Sequence, residues 1–465
     1  MKKKLLVIIV ILTFLCGCTK NYKDDNTNSN IDNQWDDEKE DKNDITVGDD
    51  EEENDNAIIV WEDENFEALI RFYLNNFDKD IYVKDLNDIT ELNISSVTKV
   101  KTNIKECVIP EEYFNKISLI TSMQDIDNFN NLNEIVITSN KIEQIYTYKN
   151  STNVSLLNLM SNELLNLSGI ENYGNLTTLN IADNYIENLK PLNNLSKLKT
   201  LNLSSIGPPA NNIDGCYISN IDINSISELK NLETIIIENS NVSNISTLNK
   251  FDNLKFLALY RSNLDVGELY LISDNTKNKI EKLNLEISNF SGEPVVLDMS
   301  KFKNLNNLRE LYVLGDLTNI NSLNNLNSLK IVYSFISESE SFNNLKNLKS
   351  LIIWNSQFED TKVLEDINSL EDVYFRETDI SNLKYLKNNK NLKSIWIVNG
   401  NLSDISDLKE FINVETIILP VNNITDVSVF SELHNLKKID ISNNPIKDYT
   451  VINNLENNKD IQVMQ

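Results

Sequence analysis

The sequence predicts an α/β repeat solenoid: a curved array of roughly 22-residue coils whose strands form one concave parallel β-sheet behind an N-terminal helical cap. Three observations carry that prediction: a hydrophobic ladder of fixed period, an amphipathic segment just ahead of it, and a composition with few catalytic residue types. The ladder reads apolar, two variable, apolar, one variable, apolar. It occurs as Leu132, Ile135, Ile137, then Val154, Leu157, Leu159, then Leu176, Leu179, Ile181, then Leu198, Leu201, Leu203, each set starting 22 residues after the last. The same step of 22 joins Leu348, Leu370, Leu392, Val414 and Leu436. A period of about 20 to 29 residues with this pattern marks a leucine-rich repeat, in which each coil is one short strand and a return segment. A single coil cannot bury its own apolar edge, so coils stack and share one core.

Residues 1–17 read as an address label. Lys2 to Lys4 are followed by an apolar run from Leu5 to Leu15, shorter than the ~20 residues needed to span a bilayer. The ending Leu15, Cys16, Gly17, Cys18 resembles the lipobox of bacterial lipoproteins. That resemblance implies cleavage before Cys18, acylation of its sulfur, and a place on the outer face of the cell membrane, held by acyl chains worth roughly 0.8 kcal/mol per buried methylene. Residues 18–57 follow as an acidic tether. Fifteen acidic and four basic residues fall between 20 and 57, a local charge of −11, and low hydrophobicity with like charge cannot offset chain entropy.

Residues 58–94 are expected to form the cap. Phe66, Leu69, Ile70, Tyr73 and Leu74 share one helical face, Asp63 and Glu64 suit a helix N-terminus, and Leu86, Ile89, Leu92 and Ile94 supply a first coil edge. Residues 95–131 fit the period poorly and stand as irregular first coils, with 132–465 as the solenoid. Inside it the step is 34 from Leu198 to Leu232, with Gly207, Pro208, Pro209, Gly215 and Cys216 reading as an excursion loop over 205–220. Steps of 26 and 28 lead to Ile280 and Leu308, and steps of 21 and 19 lead to Leu329 and Leu348. The long return Glu268 to Asn278 has room for a helical turn.

Residues flanking the buried ladder point to the concave face, because strand neighbours alternate sides. Early coils place Asn158, Asn180 and Asn202 there; later coils place Tyr312, Tyr333, Ile352, Tyr374, Trp396 and Ile418. A parallel column holds Tyr260, Leu314, Phe335, Trp354 and Arg376, with Arg261 beside it. Strands about 4.8 Å apart would merge these into one apolar stripe, larger than the few hundred Å² a soluble surface usually carries. Aromatic and Arg side chains are the composition of a protein-binding hot spot. The same rings could stack on a glycan, or simply stiffen the sheet.

The segment W-E-D-E-N-F-E-A-L-I-R-F-Y-L, the passage D-I-T-E-L-N-I and the coil N-L-T-T-L-N-I-A-D-N-Y-I-E-N-L-K-P-L-N-N-L resemble bacterial internalin-type leucine-rich-repeat proteins over roughly 58–465. The resemblance implies a concave sheet that binds partner proteins and return segments of extended or 3₁₀ form. The chain reaches Gln465 in what the period makes a last coil around Ile461 and Val463. No following immunoglobulin-like domain or wall-sorting signal is expected, lipid is expected to replace the wall anchor, and no host-invasion role is carried over. Recurrent Asn140, Asn162, Asn184, Asn422 and Asn444 are read as scaffold amides satisfying backbone groups between coils.

A net charge of −27 argues against nucleic acid as partner. His434 is the one histidine and lies in a return segment; no metal-ligand spacing or phosphate loop is present, so no cofactor, metal or catalytic residue is nominated and an enzyme is not expected. Asp372 and Glu377 are read as surface carboxylates. Cys107 and Cys216 remain after the signal, bonded or free. The expected function is a membrane-anchored extracytoplasmic binding protein that captures a protein or peptide on its concave face, with an envelope-associated structural or glycan-binding module as the alternative.

Overall fold

The ladder residues are inward because each coil offers one short strand whose alternate side chains must leave water. The computed structural model describes residues 55–207, 212–213, 216–217, 219–288, 295–302, 305–337, 342–457 and 461–464. The signal segment, Cys18, the tether up to residue 54 and the side chains of 208–218 lie outside them. Within the unit Glu51–Gln465, Ile135, Leu157, Leu179, Leu201 and their counterparts are fully buried. Strands such as Glu134–Thr138 and Ser350–Trp354 alternate half-buried and buried residues along their length. Among the described residues these strands belong to one 20-stranded sheet, mostly parallel, of a leucine-rich-repeat solenoid.

Helix α1 (Glu64–Leu74) precedes the sheet, and Phe66, Leu69, Ile70 and Tyr73 are its buried face. Its first N–H groups are orphans that need an acceptor. Asp63 supplies it, accepting from the amides of Asn65 and Phe66. The other Asp63 oxygen takes the Thr121 amide at 2.7 Å, and buried Asp125 accepts from the amides of Glu62 and Asp63 at 2.9 Å each. Two carboxylates thus tie the helix start to a segment some 60 residues away in sequence.

The stretch with no clear period forms a meander: β1 (Glu91–Ser95), β2 (Lys99–Thr102) and β3 (Glu106–Val108) pair antiparallel, while β1 pairs parallel with Glu134–Thr138. Tyr73 of α1 bonds the Thr102 hydroxyl at 2.7 Å, and the free Cys107 thiol donates to the Phe72 carbonyl at 3.6 Å. Beyond Glu134 each coil adds one ladder strand, and some carry a second short one, as in Ser219–Asp222 paired with Ser240–Ser243. The step of 34 is an excursion, since Leu201 and Ile235 are direct partners across it. It contains the short antiparallel pair Asn212–Ile213 and Cys216–Tyr217. The long return after Asn263 holds two short helices, Val266–Tyr270 and Asp274–Lys277.

Coils join by a repeated bond set. The amides of Glu371 and Asp372 both donate to the Lys349 carbonyl, those of Lys393 and Ser394 to Glu371, and those of Glu415 and Thr416 to Lys393. After most strands the chain turns through one residue in the left-handed region: Ser139, Ser161, Asp183 and Ser205, later Arg261, Tyr333, Asn355, Glu377, Asn399, Val421 and Asn443. The scaffold amides bridge coils as well. Asn162 accepts from the Ile142 amide and donates to the Ile137 and Leu159 carbonyls. At the same spacing of 22, positions 334, 356, 378 and 400 hold Ser, Ser, Thr and Gly instead. Their hydroxyls take over in part: Ser356 Oγ accepts from the Ser334 amide and donates to the Trp354 carbonyl.

One coil starts elsewhere than expected. Leu311 pairs with Leu329 and Leu329 with Leu351, so the coil assigned to Leu329 begins at Leu326. Its steps are 18 and 22 rather than 21 and 19. The return segment before it is four residues short, which shifts everything read from that coil by three positions.

Candidate binding face on the parallel sheet

The solvent side of the sheet is built from the half-buried positions between ladder residues. Register sets Tyr312, Lys330, Ile352, Tyr374, Trp396 and Ile418 as successive partners on adjacent strands. The parallel row runs Glu286, Leu314, Val332, Trp354, Arg376 and Val398. The expected rows therefore hold with two corrections. Lys330 occupies the place given to Tyr333, and Val332 the place given to Phe335.

Tyr333 is the left-handed corner residue after its strand, with φ 52°, and is 62% exposed off the sheet. Phe335 is 47% exposed in a separate short strand paired with Gln357. Ile418 is on the row but only 4% exposed, so it offers a partner almost nothing. Sequence reasoning missed Lys330, although the match of Leu326, Leu329 and Ile331 to the ladder spacing would have placed it.

Ring geometry defines the centre of the face. Trp354 and Tyr374 meet edge to face at 5.5 Å and 80°, and Tyr374 and Trp396 at 5.6 Å and 81°. Such T-shaped pairs are the favoured arrangement of ring quadrupoles. The Lys330 ammonium lies 3.8 Å from the Trp354 ring centroid and 4.6 Å from that of Tyr312. Beside it Ser350, Ile352, Asp372, Val373, Tyr374, Ser394 and Trp396 line a depression of about 280 Å³. Trp396 Nε1 donates to Ser394 Oγ at 2.7 Å, whereas Trp354 Nε1 is buried without an acceptor.

A polar cluster borders the rings. Tyr260 and Tyr312 pack at 5.7 Å; the Tyr260 hydroxyl accepts from Asn284 at 2.7 Å, and Tyr312 donates to Glu286 at 3.5 Å. Burial pushes the Tyr260 phenol up to about 12 and holds the Glu238 carboxyl above the ordinary Glu range. Burial also lowers the Lys330 ammonium. Neither arginine stands free: Arg261 pairs with Glu286 at 3.4 Å and Arg376 with Glu377 at 3.3 Å. Along one rim, Glu371 bridges Lys349 and Lys393 at 2.7 Å each, and Glu415 holds Lys437 at 2.7 Å. Among the described residues no cluster of His, Cys, Asp and Glu is arranged to hold a metal ion.

No family model matches the sequence, and no curated protein matches it. Solved structures do. An internalin of Listeria monocytogenes strain 4b F2365 aligns with 87% of this chain and 95% of its own at 20% identity and a TM-score of 0.51. A leucine-rich-repeat protein of Leptospira interrogans aligns with 82% of this chain and 97% of its own at 19% identity and a TM-score of 0.50. The likeness establishes an internalin-like leucine-rich-repeat fold.

Proposed function

We propose that this chain is an extracytoplasmic protein- or peptide-binding module, anchored to a bacterial cell membrane by lipid on Cys18, that captures its partner on the solvent face of the parallel sheet. The observation that carries the reading is the ring row Trp354, Tyr374 and Trp396 with Ile352 and the depression between them. Aromatic anchors grouped around a hollow for a partner side chain are what concentrates binding energy in protein interfaces. The anchoring half rests on the N-terminal charge, apolar run and lipobox-like ending alone.

A glycan is the weaker occupant. Sugars stack on open ring faces, and here Lys330 lies over Tyr312 and Trp354 while Trp354, Tyr374 and Trp396 are engaged edge to face. The depression, at about 280 Å³, is also just under the ~300 Å³ at which small-molecule pockets begin. It suits one bulky side chain of a larger partner.

The test uses the chain from Cys18 with Cys18→Ser, to release it from lipid, against proteins extracted from cell surfaces. Trp396→Ala removes an anchor and one ring contact. Ser350→Arg fills the depression without removing any packed ring. Both should lose a partner that the parent retains, with free glycan unable to compete. Undiminished capture by Ser350→Arg would place the interface elsewhere.

A further inference from the structure

Lysines at the starts of these strands are often paired. Lys282 meets Glu310 at 2.7 Å, Lys349 and Lys393 share Glu371, and Lys437 meets Glu415. Lys330 lies in mid-strand, over the rings of Tyr312 and Trp354. It is half-buried, and among the described residues no carboxylate lies within 4.0 Å of its nitrogen. The nearest acidic influence is Glu286, already held by Arg261. The rings of Tyr312 and Trp354 offset part of the lost hydration by cation–π attraction, but a charge taken from water still favours a counter-charge.

We infer that the partner presents one peptide carboxylate to Lys330 and, from a residue two positions along an extended segment, a bulky apolar side chain to the depression lined by Ile352, Tyr374 and Trp396. This deepens the protein-binding reading above and rests on it. Lys330 and Ile352 are register partners on adjacent strands, so their backbones lie roughly 4.8 Å apart and both side chains leave the same face of the sheet. Side chains two residues apart in an extended peptide point the same way at roughly 7 Å, on the scale of one to two strand spacings, so one can meet Lys330 while the other enters the hollow beside it. A single carboxylate fits better than a dianion. One ammonium is available, Arg261 and Arg376 are committed to Glu286 and Glu377, and Glu286 stands close enough to repel a second negative charge. Inside a dry aromatic setting a charge-assisted hydrogen bond is stronger than on open surface.

The experiment pans a random peptide library displayed on phage against the Cys18→Ser chain and against the same chain carrying Lys330→Met. Enriched peptides are expected to hold one Asp, Glu or terminal carboxylate two positions from an aromatic or leucine. By calorimetry, the synthetic peptide should bind about ten-fold or more tighter than its carboxamide analogue to the parent, and no tighter to Lys330→Met. Lys330→Met should melt at or above the parent temperature, since it removes an unpaired, half-buried charge. Enriched peptides without an acidic group, or an equal carboxamide penalty in Lys330→Met, overturn this inference and leave the protein-binding reading standing. Enrichment of no peptide at all, or retention of polygalacturonate through Lys330 in place of any peptide, overturns both.

Discussion

Replacing Asn184 with leucine tests whether the amide ladder holds the coils together. The side chain is 2% exposed; its Oδ1 accepts from the Leu164 amide at 3.0 Å and its Nδ2 donates to the carbonyls of Leu159, Ile181 and Ala182. Leu159 keeps a donor in Asn162 and Ala182 keeps the Ser161 amide, so the substitution orphans two groups, the Leu164 N–H and the Ile181 carbonyl. At ~2 kcal/mol for each of the two buried orphans, less ~2 kcal/mol for the leucine taken from water, the net loss is about 2 kcal/mol. Asn184→Asp separates polarity from shape. The carboxylate still accepts from Leu164 but faces three carbonyl oxygens, so its folded-state pKa rises above the ordinary Asp value. Stability from such a group is present below the unfolded pKa and lost as pH rises through the folded one. Urea unfolding at pH 7 and pH 4, with hydrogen exchange at the Leu164 amide, reads both variants. Asn184→Leu at parental stability, or Asn184→Asp gaining nothing on acidification, would refute the reasoning.

Val421 is a β-branched residue at φ 56° and 45% exposed, where the equivalent positions one coil away on either side are Asn399 and Asn443. Val421→Asn should therefore stabilise by about 1 kcal/mol in a thermal melt, and a lowered midpoint would show that no strain resides there. Hydrogen bonds from Lys349 and then Lys393 hold the Glu371 carboxyl down to about 2. Because that value lies below the unfolded one, the contribution is complete above pH 4.5 and is lost as pH falls toward 2. Carbon-13 titration of Glu371 should give this depressed value, and Glu371→Gln should flatten the acid limb of the stability curve. A titration at the ordinary Glu pKa would remove the bridge from solution.

The solenoid was legible because the same spacing recurs coil after coil, and burial of Leu157, Leu179 or Ile397 follows from it without tertiary information. What escaped were features set by the return segments, where no apolar period operates. The meander depends on antiparallel pairing of β1, which the ladder marks at Leu92 and Ile94, with β2, and of β2 with β3, neither of which it marks. The coil at Leu326 was misplaced because its predecessor is short, and with that shift Tyr333 and Phe335 entered the face while Lys330 dropped out. Ser356 and Thr378 continue the amide ladder's work, but hydroxyl residues are too common in this sequence to be noticed. Packing among Trp354, Tyr374 and Trp396, and the ion pairs that occupy Arg261 and Arg376, required coordinates.

The carbonyl of Lys349 receives the next coil just as those of Glu371 and Lys393 receive theirs, so every joint in this region is the same joint. Coils built that way are interchangeable cassettes. Excising the 22 residues from 370 to 391 would bring the segment beginning at Leu392 onto the docking bonds vacated by Leu370, with Trp396 where Tyr374 stood. The surface presented to a partner can thus be lengthened, shortened or reshuffled in whole steps while the interior spacing stays unbroken.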